Sequence, residues 1–445
     1  MQNKQNGNLT VNVIGGGLAG CEASYFLATH GVKVNLYDIK PHKFTPAHKS
    51  ENYGELVCSN SLKSNDIYGN ACGLLKEEMR KLGSLIIDCA DKTRVPAGNA
   101  LAVDREAFSA LITNRLKELE NITFISKEIT EIDFSVPTII ATGPLTTDKL
   151  GEFIRKITGS FYFFDAAAPI VMGDSIDMNE AFITDRYGEE GVGDYINCPM
   201  DKETYELFYN ELINAKRAEL HDFEDAKVFE GCMPVEVMAR RGVDTLRFGP
   251  LKPAGLTDPK TGRWPYACLQ LRKENVDGTM YNLVGFQTNL LFGEQKRVFS
   301  LFPALKNAEF VRYGVMHKNT FIDAPSSLNK YYALKSAKNI YFAGQITGVE
   351  GYVESASSGL CAAINLYREL KNLPAIEWDN RTVSGALCCY ISTANGNFQP
   401  MNANFGILAP VMVADKRKKE MKKQMMAQRA LEVISKIAER INENE

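Results

Sequence analysis

Short apolar runs interrupted by glycines open the chain and predict a β-α-β unit. The β-branched run at residues 9–14 leads into glycines, a helix-forming segment covers residues 21–28, and a second apolar run at residues 32–37 ends at Asp38. A strand, a tight turn, a helix and a second strand ending in an acid form the arrangement of a dinucleotide-binding unit. The pattern therefore predicts an α/β fold that begins with a nucleotide site.

The turn between the first strand and the helix has the residues that a pyrophosphate requires. In this arrangement Gly15 permits the tight turn, Gly17 lets backbone N–H groups approach the phosphates, and Gly20 allows close packing of helix and strand. Asp38 is expected to bind a ribose hydroxyl. Glycines at this spacing also occur in ordinary loops, but here the flanking elements agree with a dinucleotide site. The predicted cofactor-binding residues of the turn are Gly15, Gly16, Gly17, Leu18, Ala19 and Gly20.

Apolar periodicity predicts further elements of the same sheet. Helical spacing is found at residues 74–82 and 104–116, and strands are predicted at residues 122–125, 129–132 and 138–143. Parallel-sheet character returns at residues 339–345, where an apolar strand ends at Gly344 before a small-residue helix. A strand, glycine loop and helix that return late to complete the first unit are typical of FAD enzymes, so FAD is favoured over NAD.

The pattern between these two parts is different and predicts an insertion. Aromatic residues are frequent from residue 161, and the β-α alternation is absent until about residue 336. We therefore predict a discontinuous Rossmann-like FAD-binding domain of residues 8–165 and 336–445, with an inserted mixed α/β domain at residues 166–335. A basic amphipathic helix is predicted from about residue 412. Its charges fit either a solvated face or contacts with RNA phosphates.

Composition narrows the class of protein. The 445 residues, 45% of them hydrophobic, are enough for two or three domains. The net charge of −3 gives no general attraction for nucleic acid, so RNA binding requires local basic patches. The sequence has neither a signal-peptide pattern nor an apolar run of roughly 18 residues, which leads us to expect a cytoplasmic protein without membrane contact. The 10 cysteines lack the spacing of metal ligands, so no metal site is predicted.

Two of these cysteines lie in distinctive surroundings. Cys58 is part of a dense polar cluster soon after the basic pair His48-Lys49, and Cys232 lies in a Gly-Cys-Met-Pro turn. Both settings are suited to lowering the pKa of a thiol. The alternative for each is a buried structural cysteine, which is the common fate of a thiol in a reducing compartment.

Motifs along almost the whole chain, from about residue 11 to residue 410, resemble one family. They are GGGLAGCEA, ELVCSNSLKS, GLLKEEMRKLGSLI, RVPAGNALAVDR, IIATGPLT, YFFDAAAPIV, FEGCMPVEVMARRG, FGPLKPAGL, NLVGFQTNL, EQKRVF, RYGVMHKN, FAGQITGVEGYVESAS and NFQPMNANFGI. The chain resembles the folate- and FAD-dependent RNA uracil-5-methyltransferases, the TrmFO family. GidA-type wobble-uridine flavoproteins share the FAD fold but lack both cysteine motifs in this form. The sequence departs from the family pattern at Asp38, where glutamate is usual, and at Lys49-Ser50.

The resemblance implies a reaction and its reagents. The expected reaction is C5 methylation of a uridine in RNA, with 5,10-methylenetetrahydrofolate as carbon donor, FAD as electron donor and NADPH or NADH as reductant. The favoured substrate is the T-loop uridine of tRNA. Three alternatives stay open: a uridine of 23S rRNA, as in the RlmFO subfamily; GidA-like wobble modification or general flavin oxidoreduction; and a non-catalytic RNA-binding role.

The resemblance also implies roles for individual residues. Cys232 and Cys58 match the two functional cysteines of the family, with Cys232 favoured as nucleophile and Cys58 as general base or flavin-side partner, although either thiol fits either role. Arg240, Arg312 and His317 are candidates for contacts with folate carboxylates or RNA phosphates. For these three residues an ordinary surface cluster is the alternative.

Overall fold

The computed structural model describes residues 9–166, 168–188, 191–218, 233–274, 277–314, 316–393, 398, 400–412 and 419–442. The described helices are α1 Leu18–Thr29, α2 Ala71–Lys81, α3 Leu85–Lys92, α4 Arg105–Lys117, α5 Asp148–Thr158, α6 Lys202–Asn214, α7 Val235–Ala239, α8 Thr245–Phe248, α9 Phe292–Phe299, α10 Ala324–Ser327, α11 Tyr352–Leu370, α12 Val383–Ser392 and α13 Lys419–Asn442. The described strands are β1 Thr10–Ile14, β2 Lys33–Asp38, β3 Ser61–Ser64, β4 Arg94–Val95, β5 Ala100–Val103, β6 Ile122–Ser126, β7 Thr138–Ile140, β8 Ser160–Ala166, β9 Ile170–Met172, β10 Phe182–Ile183, β11 Tyr195–Met200, β12 Ala267–Lys273, β13 Met280–Leu283, β14 Phe310–Arg312, β15 Met316–Ile322, β16 Ala333–Leu334 and β17 Ala337–Phe342.

A six-stranded sheet carries the nucleotide-binding unit. Its order is β16-β17-β7-β1-β2-β6, and all neighbours are parallel except the β16–β17 pair. Ile14 pairs with Tyr37 on one side and with Ile140 on the other, and Ile140 also pairs with Phe342. The carboxyl ends of four strands therefore lie at one edge, where open α/β sheets bind their ligands.

Helices α1 and α11 pack closely because Gly359 replaces a side chain at their contact. A Cβ on Gly359 would overlap the carbonyl oxygen of Ala19 in α1. The small-residue helix predicted near the carboxyl end is thus the direct neighbour of the first helix. This packing brings the late part of the chain to the early glycine turn.

A second sheet lies within the region where the β-α alternation is lost. Its order is β10-β11-β12-β13-β9-β14, and every pair is antiparallel. Its own apolar core contains the packed aromatic residues Phe208, Phe286, Phe299 and Phe302. Strands β8 and β15 form a separate two-stranded ladder in which His317 pairs with Asp165. The exact domain bounds at residues 165 and 336 stay a prediction.

Buried glutamates tie helices together. Glu22 accepts hydrogen bonds from the Ser84 hydroxyl (2.7 Å) and from the Leu85 and Ile86 N–H groups at the start of α3. Glu78 accepts equivalent bonds from Val383 N–H (2.7 Å) and from the N–H and hydroxyl of Ser384 at the start of α12. Burial raises the pKa of each glutamate to about 7.

The last helix, α13, joins the main core. Ala427, Ile434 and Ile441 are buried on one face, and the helix packs against α2. An amphipathic helix is therefore present, while the basic residues at 416–418 lie outside the described residues. Within the part of the chain that the structure describes, no helix is long and apolar enough to cross a membrane.

The prediction of a strand at residues 129–132 is wrong. The chain leaves the sheet after β6, and residues 129–132 have no strand conformation. Their apolar side chains are nevertheless placed in contacts: Ile129 lines a cleft, and Ile132 is buried in the main core. Both residues pack against the main core, so apolar alternation here reflects core contacts made without strand conformation.

Candidate functional site

A cleft of about 1170 Å³, part of it open to solvent, lies at the carboxyl edge of the six-stranded sheet. Its walls contain residues from the glycine turn, the end of β2, the loop after β7 and the turn after β17. Cleft residues that the sequence predicts are Gly15, Gly16, Gly17, Leu18, Ala19, Asp38 and Gly344. Gly20 lies behind them at the contact between α1 and β1.

The glycine turn has the shape that a pyrophosphate requires. Gly15 has φ +107°, and a Cβ there would lie 2.5 Å from the carbonyl oxygen of Ala141. A Cβ on Gly16 would overlap the ring of Tyr53, whereas a Cβ on Gly17 would meet no atom within 4 Å. The turn is therefore closed on the protein side and open at Gly17, next to the start of α1. Backbone approach and the positive end of the helix dipole fit a dinucleotide phosphate.

Asp38 is fixed at the end of β2. Its Oδ2 accepts a hydrogen bond from Gly16 N–H (2.8 Å), and its Oδ1 accepts one from Lys40 N–H (2.9 Å). The carboxylate lies in the cleft wall. It therefore has the position and charge that a ribose hydroxyl needs.

The turn after β17 forms the opposite wall. Gly344 has φ +84°, and its N–H donates to the Ser358 hydroxyl (2.7 Å). Gln345, Tyr352 and Ser355 follow it in the cleft lining, so the start of α11 faces the cleft. The residues of both walls fit FAD, because they offer a phosphate turn, a ribose acid and a second helix start.

Cys58 lies at the edge of this cleft beside Val57. It is partly exposed, and the Tyr352 hydroxyl donates a hydrogen bond to its Sγ (2.9 Å) while accepting one from its N–H (2.7 Å). Burial, and then the neighbouring Cys58, raises the pKa of Tyr352 well above its usual range. The hydroxyl therefore keeps its proton and remains a donor to the sulfur.

Three arginines hold the loop that carries Cys58. Arg105 donates to the Leu56 carbonyl (3.2 Å), and Arg312 donates to the Val57 carbonyl (2.6 Å). Arg272 donates to the hydroxyl of Ser59 (2.8 Å) and to Oδ1 of Asn60 (3.0 Å). The loop is thus fixed on both sides of the thiol by cations.

These cations create positive potential near the sulfur. Burial lowers the pKa of Arg105, but the Glu274 carboxylate at 2.7 Å, together with Tyr352 and Cys58, holds that pKa above its usual range. Burial and then Arg105 lower the pKa of Arg312. Nearby guanidinium groups and a hydroxyl donor favour the thiolate over the thiol.

The structure places the remaining predicted residues as follows. Cys232 lies outside the described residues. Arg240 is exposed at the end of α7 and donates to the Ile213 carbonyl (3.0 Å), and His317 lies in β15, where its side chain is outside the described part. Arg312 is partly exposed and donates a hydrogen bond to the Cys58 loop. Among the described residues no group of three or more histidine, cysteine or acidic side chains is placed to bind a metal ion.

Sequence reasoning missed Tyr352, Arg105 and Arg272 as parts of the site. Tyr352 follows Cys58 by 294 residues, so no local pattern connects them. Tyr352 and Arg105 do lie in two of the motifs that carry the family resemblance, FAGQITGVEGYVESAS and RVPAGNALAVDR. These two motifs were the feature of the sequence from which Tyr352 and Arg105 could have been predicted as site residues.

The fold and cleft define a flavoprotein with a GidA-like FAD-binding fold. The family model described as Glucose inhibited division protein A matches residues 10–374. The solved structure of Aquifex aeolicus GidA is similar to this chain with a TM-score of 0.69 at 16% identity, covering 97% of this chain and 76% of that one.

Curated relatives are much closer in sequence. A protein of Acetivibrio thermocellus named Methylenetetrahydrofolate--tRNA-(uracil-5-)-methyltransferase TrmFO is 58% identical over 432 residues, which is 96% of this chain and 99% of the relative. A relative of the same name from Bacillus licheniformis is 52% identical over 434 residues, covering 97% and 99%. The chain belongs to the TrmFO family within the GidA-related flavoproteins.

Proposed function

We propose that this protein transfers a one-carbon unit from 5,10-methylenetetrahydrofolate to C5 of a uridine in tRNA. The observation that carries the proposal is the Cys58 thiol, held by Tyr352 at the edge of a dinucleotide cleft. The relatives named for this reaction match nearly the full chain. The sequence alternatives without a reactive thiol, such as general flavin oxidoreduction, give no reason for this arrangement.

The proposed cofactor is FAD. The glycine turn would bind its pyrophosphate, Asp38 its ribose, and the turn at Gly344 would face the flavin part. When bound and reduced, FAD supplies the two electrons that convert a methylene to a methyl group. We further propose NADPH or NADH as the source of those electrons.

The protein side of the chemistry needs two thiols. Uracil C5 is a poor nucleophile until a thiolate adds to C6, and we assign that addition to Cys232. After C5 has acquired its one-carbon substituent, the Cys58 thiolate removes the C5 proton. The electron pair of that C–H bond forms the C5–C6 double bond, the C6–S bond breaks, and its pair returns to Cys232 Sγ.

Cys58 suits the role of base because of its surroundings. Arg105 and Arg312 hold the carbonyls just before it, and Tyr352 donates to its sulfur. A base must carry negative charge before it accepts the proton, and these groups stabilise that charge. The same geometry would be of little use to a structural cysteine, which is commonly protonated and apolar.

Methylation by purified variants tests the proposal. FAD-loaded protein, methylenetetrahydrofolate and NADPH are mixed with tRNA or 23S rRNA transcripts, and 5-methyluridine is mapped. We expect methylation of tRNA by the wild type and by Cys389→Ala, a control for a second partly exposed cysteine. Cys58→Ala is expected to lose activity by a factor of at least about 100.

Two results would count against the proposal. Failure of fully flavin-loaded wild type to methylate either RNA contradicts the reaction, and methylation of 23S rRNA alone contradicts the tRNA substrate. Full activity of Cys58→Ala would instead remove Cys58 from the chemistry while leaving the reaction in place.

A further inference from the structure

The segment that follows α7 presents an aromatic ring to solvent. Residues 240–252, which we term the α8 ledge, include Phe248 at the end of α8 with 84% of its surface exposed. Aromatic rings bury large apolar areas and normally find a partner in the core or at an interface. Phe248 is the most exposed aromatic side chain among the described residues, which makes it a candidate for contact with a partner.

The exposure of Phe248 does not arise from a loose segment. Leu246 and Leu251, on either side of it, are fully buried in the core of the second sheet. The Leu251 N–H donates to the Leu246 carbonyl (2.8 Å), and the Cys268 N–H of β12 donates to the Leu251 carbonyl (3.1 Å). The ledge is anchored from both ends, so the ring is held outward by the backbone.

The charge of the ledge is opposite to that of the whole protein. Residues 240–252 contain four cations and one acid, in a chain whose net charge is −3. The cations are Arg240, Arg241, Arg247 and Lys252, and the acid is Asp244. Arg247 binds Asp244 (2.7 Å) and covers the ring of Tyr266 at 3.7 Å. Arg240 and Lys252 are exposed.

An exposed ring among cations matches the chemistry of RNA. Single-stranded RNA is bound by aromatic side chains that stack on unpaired bases and by cations that contact phosphates. An apolar protein partner would gain from the ring but not from the exposed cations Arg240 and Lys252 beside it. The ledge also begins only eight residues after Cys232, the thiol to which we assign the attack on uracil.

We infer that the α8 ledge binds the RNA substrate, with Phe248 stacked on an unpaired base and Arg240 and Lys252 on phosphates. This inference rests on the proposed function, because it assumes an RNA substrate. It extends that function by placing a contact outside the cofactor cleft. The ledge would hold the strand close to the segment that carries the nucleophile.

Equilibrium binding of fluorescent tRNA transcript to FAD-loaded protein, measured across salt concentrations, tests the ledge. Phe248→Ala is expected to weaken binding about 5- to 100-fold with an unchanged salt slope, because stacking carries no charge. Phe248→Trp is expected to keep most of the affinity. Lys252→Ala is expected to reduce the slope of log K against log salt by about 0.7 to 0.9.

Two control residues, an aromatic residue and a lysine, lie between α8 and β12 in the chain. Trp264 is 54% exposed, and Lys260 is exposed and paired with Glu180, so Trp264→Ala and Lys260→Ala remove an exposed aromatic ring and an exposed cation outside the ledge. Neither is expected to change tRNA binding more than about twofold. Wild-type binding by Phe248→Ala would overturn the inference, as would equal weakening by Phe248→Trp and Phe248→Ala, which indicates a structural role.

The results distinguish a failure of the RNA-binding inference from a failure of the proposed function. If the wild type binds tRNA through Phe248 but does not methylate it, the proposed function is wrong and the RNA-binding inference is supported. If the wild type methylates tRNA and Phe248→Ala binds it normally, the RNA-binding inference is wrong and the proposed function is supported.

Discussion

At the scale of single residues, Gly17 decides whether the glycine turn is a cofactor site. Its φ of −77° is open to any residue, and no atom lies within 4 Å of a Cβ placed there. The fold itself therefore has no need for glycine at this position. A cofactor phosphate that approaches the backbone does need it.

The variant Gly17→Ala is accordingly expected to fold normally and to bind FAD at least about tenfold more weakly, because its methyl group occupies the approach to the phosphates. Flavin absorbance per chain and circular dichroism measure the two properties. Gly151→Ala is the control, since Gly151 in α5 also has no neighbour within 4 Å of a Cβ. Wild-type flavin content in Gly17→Ala would show that the turn does not bind the phosphates.

Tyr352 is the residue whose effect on Cys58 is most direct. In Tyr352→Phe the sulfur loses its hydroxyl donor, while the bonds of Arg105 and Arg312 to the loop are unchanged. A hydrogen bond to a charged group is commonly worth about 1.5 to 3 kcal/mol, so the pKa of the thiol is expected to rise by at least about one unit.

Two measurements follow this change. The pH profile of methylation is expected to shift to higher pH in Tyr352→Phe. The pH titration of the thiolate absorbance is expected to shift in the same direction. The signal of Cys58 is obtained by subtracting the absorbance of the double variant that also carries Cys58→Ala. Tyr341→Phe removes a hydroxyl that binds Glu369 (2.7 Å) and serves as control. Identical pH profiles for Tyr352→Phe and wild type would mean that the hydroxyl does not act on the sulfur.

At the scale of elements, Glu78 makes the contact between α2 and α12 dependent on pH. Burial raises its pKa from the usual 4.5 to about 7, so the folded protein binds more protons than the unfolded chain between these values. The free energy of unfolding therefore falls as pH rises through this window, by at most about 1.4 kcal/mol per pH unit for this group.

The variant Glu78→Gln does not titrate at this position and is expected to lack that contribution. Relative to wild type its stability is expected to improve as pH rises from 5 to 7, by roughly 2 to 3 kcal/mol in total. Urea unfolding at several pH values measures the difference. A stability difference that stays constant between pH 5 and 8 would contradict the raised pKa.

The elements also show what sequence patterns predict well. The glycine turn, both flanking strands and the late strand β17 were predicted because their signals are local and period-specific. The incorrect prediction of a strand at residues 129–132 used the same kind of signal, but its apolar residues pack against the main core without forming a strand. The clamp of Arg105, Arg272 and Arg312 on the Cys58 loop had no local signal, since it joins segments 49 to 255 residues apart.

At the scale of the whole molecule, Arg272 and Lys273 connect the second sheet to the loop of Cys58. Arg272 belongs to β12 and reaches Ser59 and Asn60, while the Lys273 carbonyl accepts a hydrogen bond from the Asn60 side chain (2.8 Å). The position of the thiol at the cofactor cleft thus depends on a strand of the other sheet. Rigid support of this kind is what keeps a catalytic group in its productive geometry.

The variant Arg272→Lys is expected to lower methylation about 10- to 100-fold with little change in flavin content, because a lysine cannot bind Ser59 and Asn60 together. Methylation rates and flavin absorbance are the measurements. Arg297→Lys, which changes an exposed ion pair on α9, is the control. Equal loss of flavin and activity in Arg272→Lys would point to general destabilisation instead.

The position of β17 in the six-stranded sheet also affects how the chain is made. Strand β7 ends at Ile140 and its partner β17 ends at Phe342, so roughly 10 to 40 s of synthesis at ordinary ribosomal rates separate the two. Throughout that interval the nascent half-sheet exposes the edge of β7, and the second sheet must fold beside it. Any delay in folding the insertion therefore lengthens the time during which neighbouring nascent chains can pair with that edge.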